Sequence, residues 1–198
     1  MAERADAARN RARILDAAAP LLARAAGRTV TMEQVAAAAG VGKATLYRRY
    51  PDVATIAVAL LDEHERALQE RLLRGPPPLG PGAPPGERLA AFYAAMVDLL
   101  ERHGHLALAA ETGARRYATG AYAAWALHVG ALLEAAGRGA AAGRDAAAAA
   151  GRDGAKAALV DALLAPLAPD VYAHQRAAGR SPQAIADALA TLAHCVFD

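Results

Sequence analysis

The chain has 198 residues, 55% hydrophobic and 5% aromatic, which suits one medium-sized domain or two small ones with a sizeable core. Its single cysteine, Cys195, cannot form a disulfide within the chain, which fits a reducing compartment, so we expect a cytoplasmic protein. There is no charge-free run of about 18 apolar residues and no apolar core of a signal peptide, so we expect no membrane span and no secretion signal.

Charge is distributed unevenly along the chain, although the net charge is only +2. Residues 1–50 contain nine of the 22 Lys and Arg but four of the 20 Asp and Glu, a balance of +5. The remaining residues carry 13 basic and 16 acidic side chains, a balance of −3. A basic N-terminal segment indicates a polyanionic partner.

Helix-forming residues dominate and strand-forming residues are scarce, so we expect an all-α fold of about nine helices. The first helix is predicted over 9–26, where Ile14, Ala18 and Leu22 share one face. Pro20 lies inside this helix and removes a backbone donor, so we expect a kink or a restart there.

A capping box, Thr31 to Gln34, opens a second helix that ends at Gly40. A third, short helix is predicted from Gly42 to about Tyr50, and Pro51 stops it. Two helices joined by a glycine-centred turn form a helix-turn-helix motif, and we predict a DNA-binding domain over 1–51.

The stretch Gly40–Lys43 also resembles the end of a nucleotide-binding P-loop, which needs G-x-x-x-x-G-K-[ST] after a buried strand. The first glycine is replaced by Ala37 and the magnesium-binding hydroxyl by Ala44. The preceding segment is also helical in pattern. The DNA-binding interpretation is therefore favoured over a nucleoside triphosphatase.

The third helix carries groups suited to DNA. Lys43 and Thr45 lie near its N-terminus, where backbone N–H groups point toward phosphate. Tyr47 offers a hydroxyl, and Arg48 and Arg49 offer charge-assisted donors for phosphate or guanine edges. A solvated amphipathic helix with ordinary arginines is the alternative for these residues taken alone.

The C-terminal part is predicted as a helical body over 87–198. A connecting fourth helix over 52–74 and a Pro/Gly-rich loop over 75–86 precede it. The predicted body elements are helices at about 87–103, 105–112, 117–136, 155–177 (with Pro166 and Pro169 bending or breaking it) and 182–196, with a mobile loop or weak alanine helix over 137–156.

Candidate residues for a small-molecule pocket in this body are polar aromatics, histidines and a methionine. Trp125 and His128 are three residues apart on one helix, so both can border one cavity. The alternative for the aromatic residues and the methionine is that they simply pack in the core. The alternative for the histidines is that they bond structural partners within the protein. The candidates are Tyr93, Met96, His103, Tyr122, Trp125 and His128.

No metal site, catalytic residue or cofactor is predicted. His103 and His105 would point to different faces of a helix, and no nucleophile lies beside a visible base. We therefore expect the protein not to be an enzyme.

The segment from about Arg11 to Leu61 resembles the DNA-binding domain of the tetracycline-repressor (TetR) family. The resemblance rests on "RILDAAAPLLA" and "TMEQVAAAAGVGKATLYRRYPDVATI". It implies a homodimer formed through the last two helices, a double-stranded DNA operator as partner, and a small effector, so that 87–198 is the effector-binding and dimerisation domain. It places DNA contacts on Thr31, Gly42, Lys43, Ala44, Thr45, Tyr47 and Arg48.

Three positions depart from the family pattern. Leu22 replaces a frequent Phe, Gly42 replaces a frequent Ser, and Val53 replaces a frequent phosphate-binding Lys. Arg49 or the N-terminal arginines Arg9, Arg11 and Arg13 are candidates to replace the lost contact.

The resulting hypothesis is a ligand-responsive repressor that binds a palindromic operator as a dimer and is released by a small effector. The alternative is a helical small-molecule-binding protein or enzyme with a vestigial DNA-binding head. An activator, or a DNA-binding dimer without an effector, would share the same N-terminal domain.

Overall fold

The computed structural model describes residues 2–25, 29–110, 113–140 and 147–197, and these contain helices but no strand. The all-α prediction is confirmed. Short 3-10 segments lie at Gly113–Ala118 and Ala165–Leu167. The α-helices are α1 (Ala2–Ala23), α2 (Met32–Ala39), α3 (Lys43–Arg49), α4 (Val53–Arg74), α5 (Pro85–Ala110), α6 (Gly120–Ala140), α7 (Ala147–Leu164), α8 (Pro169–Ala177) and α9 (Pro182–Phe197).

Helix α1 begins earlier than predicted and passes through Pro20 as one element. Of the two expected outcomes, a kink or a restart, the restart is therefore excluded. Ile14 and Ala18, before the proline, and Leu22, after it, are all buried, and this burial holds both sides of the helix in place. Pro20 leaves the Asp16 carbonyl without its helical N–H donor, and the helix continues past this loss for three residues, to Ala23.

The two helices predicted on either side of residue 104 form one kinked helix, α5. The kink is His103, whose φ of −127° and ψ of 15° are not helical. Farther along, the helix predicted over 155–177 is divided, as expected, where Pro166 and Pro169 lie. In the low-complexity segment, residues 137–140 and 147–156 are helical, and residues 141–146 lie outside the described part of the chain.

Two clusters of buried side chains organise the fold. The head core joins α1, α2 and α3 to the first turns of α4, and Ile14, Val35, Leu46 and Ile56 are fully buried in it. The body core joins the rest of α4 to α5 through α9, with α5 packed against both α4 and α9. The two cores meet along α4, because Val53 and Leu60 pack against both.

The Pro/Gly-rich segment between α4 and α5 is packed against the body. Leu79 is buried, and a Cβ on Gly80 would lie 1.8 Å from the carbonyl oxygen of Gly75. Only glycine permits these two backbone segments of the loop to approach so closely. None of the described helices is long and apolar enough to cross a membrane.

Candidate functional site

The capping box that opens α2 is present. The hydroxyl of Thr31 accepts from the Gln34 backbone N–H at 3.3 Å, and the Gln34 side chain accepts from the Thr31 N–H at 2.9 Å. These bonds satisfy two of the donors left free at the start of a helix. Thr31 stays exposed at the outer end of α2.

The turn between α2 and α3 depends on Gly40. Its φ of +61° is left-handed, and the N–H groups of Gly40 and Val41 donate back to the carbonyls of Ala37 and Ala36. The guanidinium of Arg13 donates to the carbonyl oxygens of Ala39 and Gly40 at 2.9 and 3.1 Å. Arg13 thereby caps the C-terminus of α2 from α1, a contact across the fold that local sequence did not reveal.

Helix α3 has one buried and one exposed face. Leu46 is fully buried in the head core, and Tyr50, which follows the helix, is 5% exposed. The opposite face carries Tyr47, 45% exposed, and other residues that are exposed as well. These further residues are Lys43, Ala44, Arg48 and Arg49, with Gly42 exposed at the N-cap and Thr45 half-buried.

The cations of α3 differ in their partners. The Lys43 Nζ lies 3.4 Å from Glu33 Oε1, an exposed pair that contributes little and that a phosphate can replace. Arg49 donates to the carbonyl oxygen of Ala7 at 3.1 Å. Arg48 makes no hydrogen bond or ion pair with any residue of the described ranges. Arg48 is therefore the most available cation of this face.

The N-terminal arginines are also engaged with protein groups. Arg9 pairs with Asp6, Arg11 lies 3.2 Å from Glu63 on α4, and Arg13 caps α2. A role for any of them as a replacement phosphate contact would require a partner to be given up. That role stays a prediction.

Val53, which stands where the family pattern has a lysine, is the first residue of α4. It is half-buried and packs against both cores. The carboxylate of Asp52 caps the same helix by accepting from the Thr55 N–H and hydroxyl, both at 2.7 Å. The start of α4 thus contributes packing and a cap, and no cation.

In the body, the six pocket candidates do not share one cavity. Tyr93 is fully buried and donates from its hydroxyl to the Leu163 carbonyl at 2.9 Å, and burial raises its pKa to about 12. Met96 is buried in the body core. The Tyr122 hydroxyl donates to Asp161 at 2.6 Å, and burial together with this carboxylate raises the Tyr122 pKa to about 12.

His103 lies apart from Tyr93, Met96 and Tyr122, against α4. Its ring stacks on that of His64 of α4, with centroids 3.6 Å apart and planes inclined by 14°. Burial and the neighbouring His64 lower the pKa of His103. Within the described ranges no group of three or more His, Cys, Asp and Glu is close enough together to hold a metal ion.

Trp125 and His128 do line one cleft, of ≈ 440 Å³, between α4, the loop before α5, and α6. Burial and then Arg88 lower the pKa of His128 to about 4, so its ring is neutral at pH 7. Arg88, near the start of α5, is a further residue of this wall. Arg88 was not among the residues predicted for the pocket; its one signal in the sequence is a cation in the first turns of a predicted helix, where cations are disfavoured.

Comparison with known families gives one match. Residues 14–60 match the family model of bacterial regulatory proteins, tetR family. The matched segment runs from the second half of α1 through α2 and α3 to the first turns of α4, which contains the candidate DNA-binding face. No curated protein shows significant similarity to the chain.

Proposed function

We propose that the chain, whose residues 14–60 match the model of the tetR family of bacterial regulatory proteins, is a DNA-binding transcriptional regulator, and more specifically a repressor released from a palindromic operator by a small effector. Two protomers would place their α3 helices in successive major grooves, about 34–36 Å apart. The observation that carries this proposal is the exposed face of α3. It combines Lys43, Tyr47 and the unpartnered Arg48 over a buried Leu46.

The positions of these side chains support separate roles. Lys43 and Tyr47 offer donors for phosphate oxygens, which orient a protein on DNA without reading its sequence. Arg48 has no protein partner among the described residues, so it can pair with guanine edges without losing one. Thr31 and Gly42 lie exposed at the N-terminal ends of α2 and α3.

A homodimer through the C-terminal helices is part of the proposal. Helices α7 and α9 expose apolar side chains, with Leu159 40% and Leu192 37% exposed, beside the small, exposed Ala158 and Ala162. Small and aliphatic residues permit close helix packing across such an interface. Leu163, on the same helix, is buried in the body of its own protomer.

Helix α4 supports a link between effector and DNA. It begins beside α3, contributes Ile56 to the head core, and lines the body cleft with Gln69, Leu72 and Leu73. A change in its position would alter the distance between two α3 helices in a dimer. An effector that prefers the displaced form by about 1.4 kcal/mol lowers operator affinity tenfold.

The proposal is tested by fluorescence anisotropy with duplex DNA from directly upstream of the protein's own coding sequence, and with a shuffled duplex of equal composition. Lys43→Ala and Tyr47→Phe should weaken binding to both duplexes, because they remove phosphate contacts. Arg48→Ala should cost about 1–3 kcal/mol on the upstream duplex only. Arg74→Gln, an exposed arginine at the end of α4, is the matched control and should change neither.

Equal losses on both duplexes for Arg48→Ala would contradict its reading of bases. No affinity for either duplex, together with a tightly held metabolite in the purified protein, would favour a small-molecule-binding protein with a vestigial head. Sedimentation should show a dimer, and Leu192→Asp should shift it to a monomer.

A further inference from the structure

We propose that the cleft between α4, α5 and α6 binds an organic anion with an apolar body, and that Arg88 pairs with its acidic group. The inference deepens the proposed function and rests on it, because the cleft is taken as the place where the effector binds. The chemical class follows from three features of the cleft: a cation without a counterion, apolar walls, and a neutral imidazole with a free nitrogen.

The first feature is the environment of Arg88. Its Nε is buried without a hydrogen-bond partner, and its Nη2 donates to the Leu72 carbonyl at a long 3.3 Å. It forms no ion pair with any residue in the described ranges, and no Asp or Glu lines the cleft. A half-buried guanidinium with a free donor and no carboxylate is costly, and an anionic ligand would relieve that cost.

The position of Arg88 in α5 adds to this argument. It is the fourth residue of the helix, and its backbone N–H donates to Pro84 at 3.0 Å. The N-terminus of a helix carries partial positive charge, which disfavours a cation there and favours an anion. The backbone at this end of α5 therefore offers the guanidinium no negative partial charge.

The walls specify the rest of the ligand. Leu72, Pro81, Trp125 and Leu127 contribute apolar surface, and the volume of ≈ 440 Å³ is that of a site for a small organic molecule. Leu127 and Leu73 at the rim are 77% and 68% exposed, and the apolar body of a ligand would cover part of this surface.

His128 supplies a second polar contact. Its Nε2 is buried without a partner, and its ring lies 5.3 Å from Phe92 between centroids. A neutral imidazole can donate one hydrogen to an acceptor oxygen. Arg88 and His128 together suit a carboxylate or sulfonate, whose oxygens accept from both.

The test compares two fluorescent probes of nearly equal shape. 1-Anilinonaphthalene-8-sulfonate carries an anionic group, and N-phenyl-1-naphthylamine lacks it. Trp125 is the one tryptophan of the chain and forms part of the cleft wall, so energy transfer from it reports bound probe. We expect the wild-type protein to bind the sulfonate at least about tenfold more tightly than the neutral probe, the effect of one charged hydrogen-bonded pair.

Arg88→Gln should reduce this preference to less than about threefold and leave the affinity for the neutral probe unchanged, because the apolar walls remain. Arg88→Lys should keep most of the preference, and Arg74→Gln, the control at the end of α4, should keep all of it. Circular dichroism and the thermal midpoint show that each variant is folded.

Equal wild-type affinities for the two probes would overturn the proposal, as would an unchanged preference in a folded Arg88→Gln variant. Failure of this proposal and failure of the proposed function are distinguishable. If the upstream duplex binds normally while the probe preference is absent, the ligand class is wrong and the regulator stands. If the preference is present while no DNA binds, the cleft stands and the proposed repressor fails.

Discussion

Arg48 on α3 and Arg88 on α5 place the same guanidinium in two different environments. Arg48 is exposed and has no partner among the described residues, so water solvates it at little cost. Arg88 is half-buried beside apolar walls, and burial lowers its pKa from the ordinary value, a sign that its charge is poorly solvated. The head therefore presents Arg48 to solvent, whereas the body holds Arg88 partly away from it.

The difference shows that a cation without a counterion suits a different kind of partner in each region. On the exposed face of α3 it suits a polyanion, because many weak, screened contacts add up along a phosphate backbone. In the cleft it suits one small anion, because a single, partly desolvated pair is strong and geometrically defined. Three experiments test this contrast: a change of salt concentration, a change of pH, and a mutation at the start of α4, the helix that joins the two regions.

Salt should separate the two regions most strongly. About six phosphate contacts per dimer predict a log–log slope of roughly −5 for DNA affinity, a fall of about 10³-fold between 50 and 200 mM NaCl. The anionic naphthalene probe should lose less than about threefold over the same range, because its pair is partly shielded from ions. Anisotropy and probe titrations at four salt concentrations measure both, and parallel slopes would remove the distinction between the regions.

Acid should destabilise the body through His128. Its pKa in the folded protein is about 4, against 6.5 for an ordinary imidazole, so below about pH 6.5 the unfolded chain binds a proton that the folded chain does not. The stability associated with neutral His128 is thus fully present above about pH 6.5 and decreases as the pH falls toward 4. The loss should reach up to about 3 kcal/mol, less where solvent reaches the ring.

Urea unfolding of the wild type and His128→Gln at pH 7.5, 5.5 and 4.5 measures this loss of stability. The variant should lose less stability than the wild type on acidification. His174→Gln, at an exposed position in α8, is the matched control and should follow the wild type. If the His128→Gln and wild-type curves run parallel, the ring does not stay neutral in the cleft.

A smaller effect is expected at Asp52, where α4 leaves the head. Asp52→Ala should cost about 1 kcal/mol of stability at pH 7, because the Thr55 N–H loses its acceptor. Hydrogen bonds from Thr55, and then Arg115, lower the pKa of Asp52 below 3.8, so its contribution is present above that pH and is lost as the pH falls through the lowered pKa.

Asp52→Asn is the matched control, because asparagine caps a helix equally well and does not titrate. In thermal unfolding at pH 7, the midpoint of Asp52→Asn should lie near that of the wild type, and the midpoint of Asp52→Ala should lie below it. Equal midpoints for Ala and Asn would show that the cap contributes nothing to holding α4.

Local signals in the head were sufficient to predict α2, α3 and the turn between them. The capping box of Thr31 and Gln34, the left-handed Gly40 and the stop at Pro51 each act on residues at most four positions away, so sequence spacing alone predicts them. The alternation of buried Leu46 and exposed Tyr47 follows from helical period for the same reason. The family match over 14–60 agrees with that interpretation.

The body was less predictable. Tyr93, Trp125 and His128 were grouped by residue type, but Tyr93 packs into the core and bonds Leu163, 70 residues away in sequence. The break expected after residue 103 is a one-residue kink at His103, whose ring stacks on His64 of α4. Contacts between distant segments decided these outcomes, and no local pattern contains them.

By itself, then, the sequence determined that the protein is all-α, where α2 and α3 begin and end, and which face of α3 is exposed. Those properties depend on caps, turns and helical period over short spans of chain. Only the tertiary structure decided that Arg13 caps α2, that Val53 packs against both cores, and that Arg88 lies unpaired beside His128. Burial and pairing of charge depend on which helices meet, and the packing of the whole chain sets that.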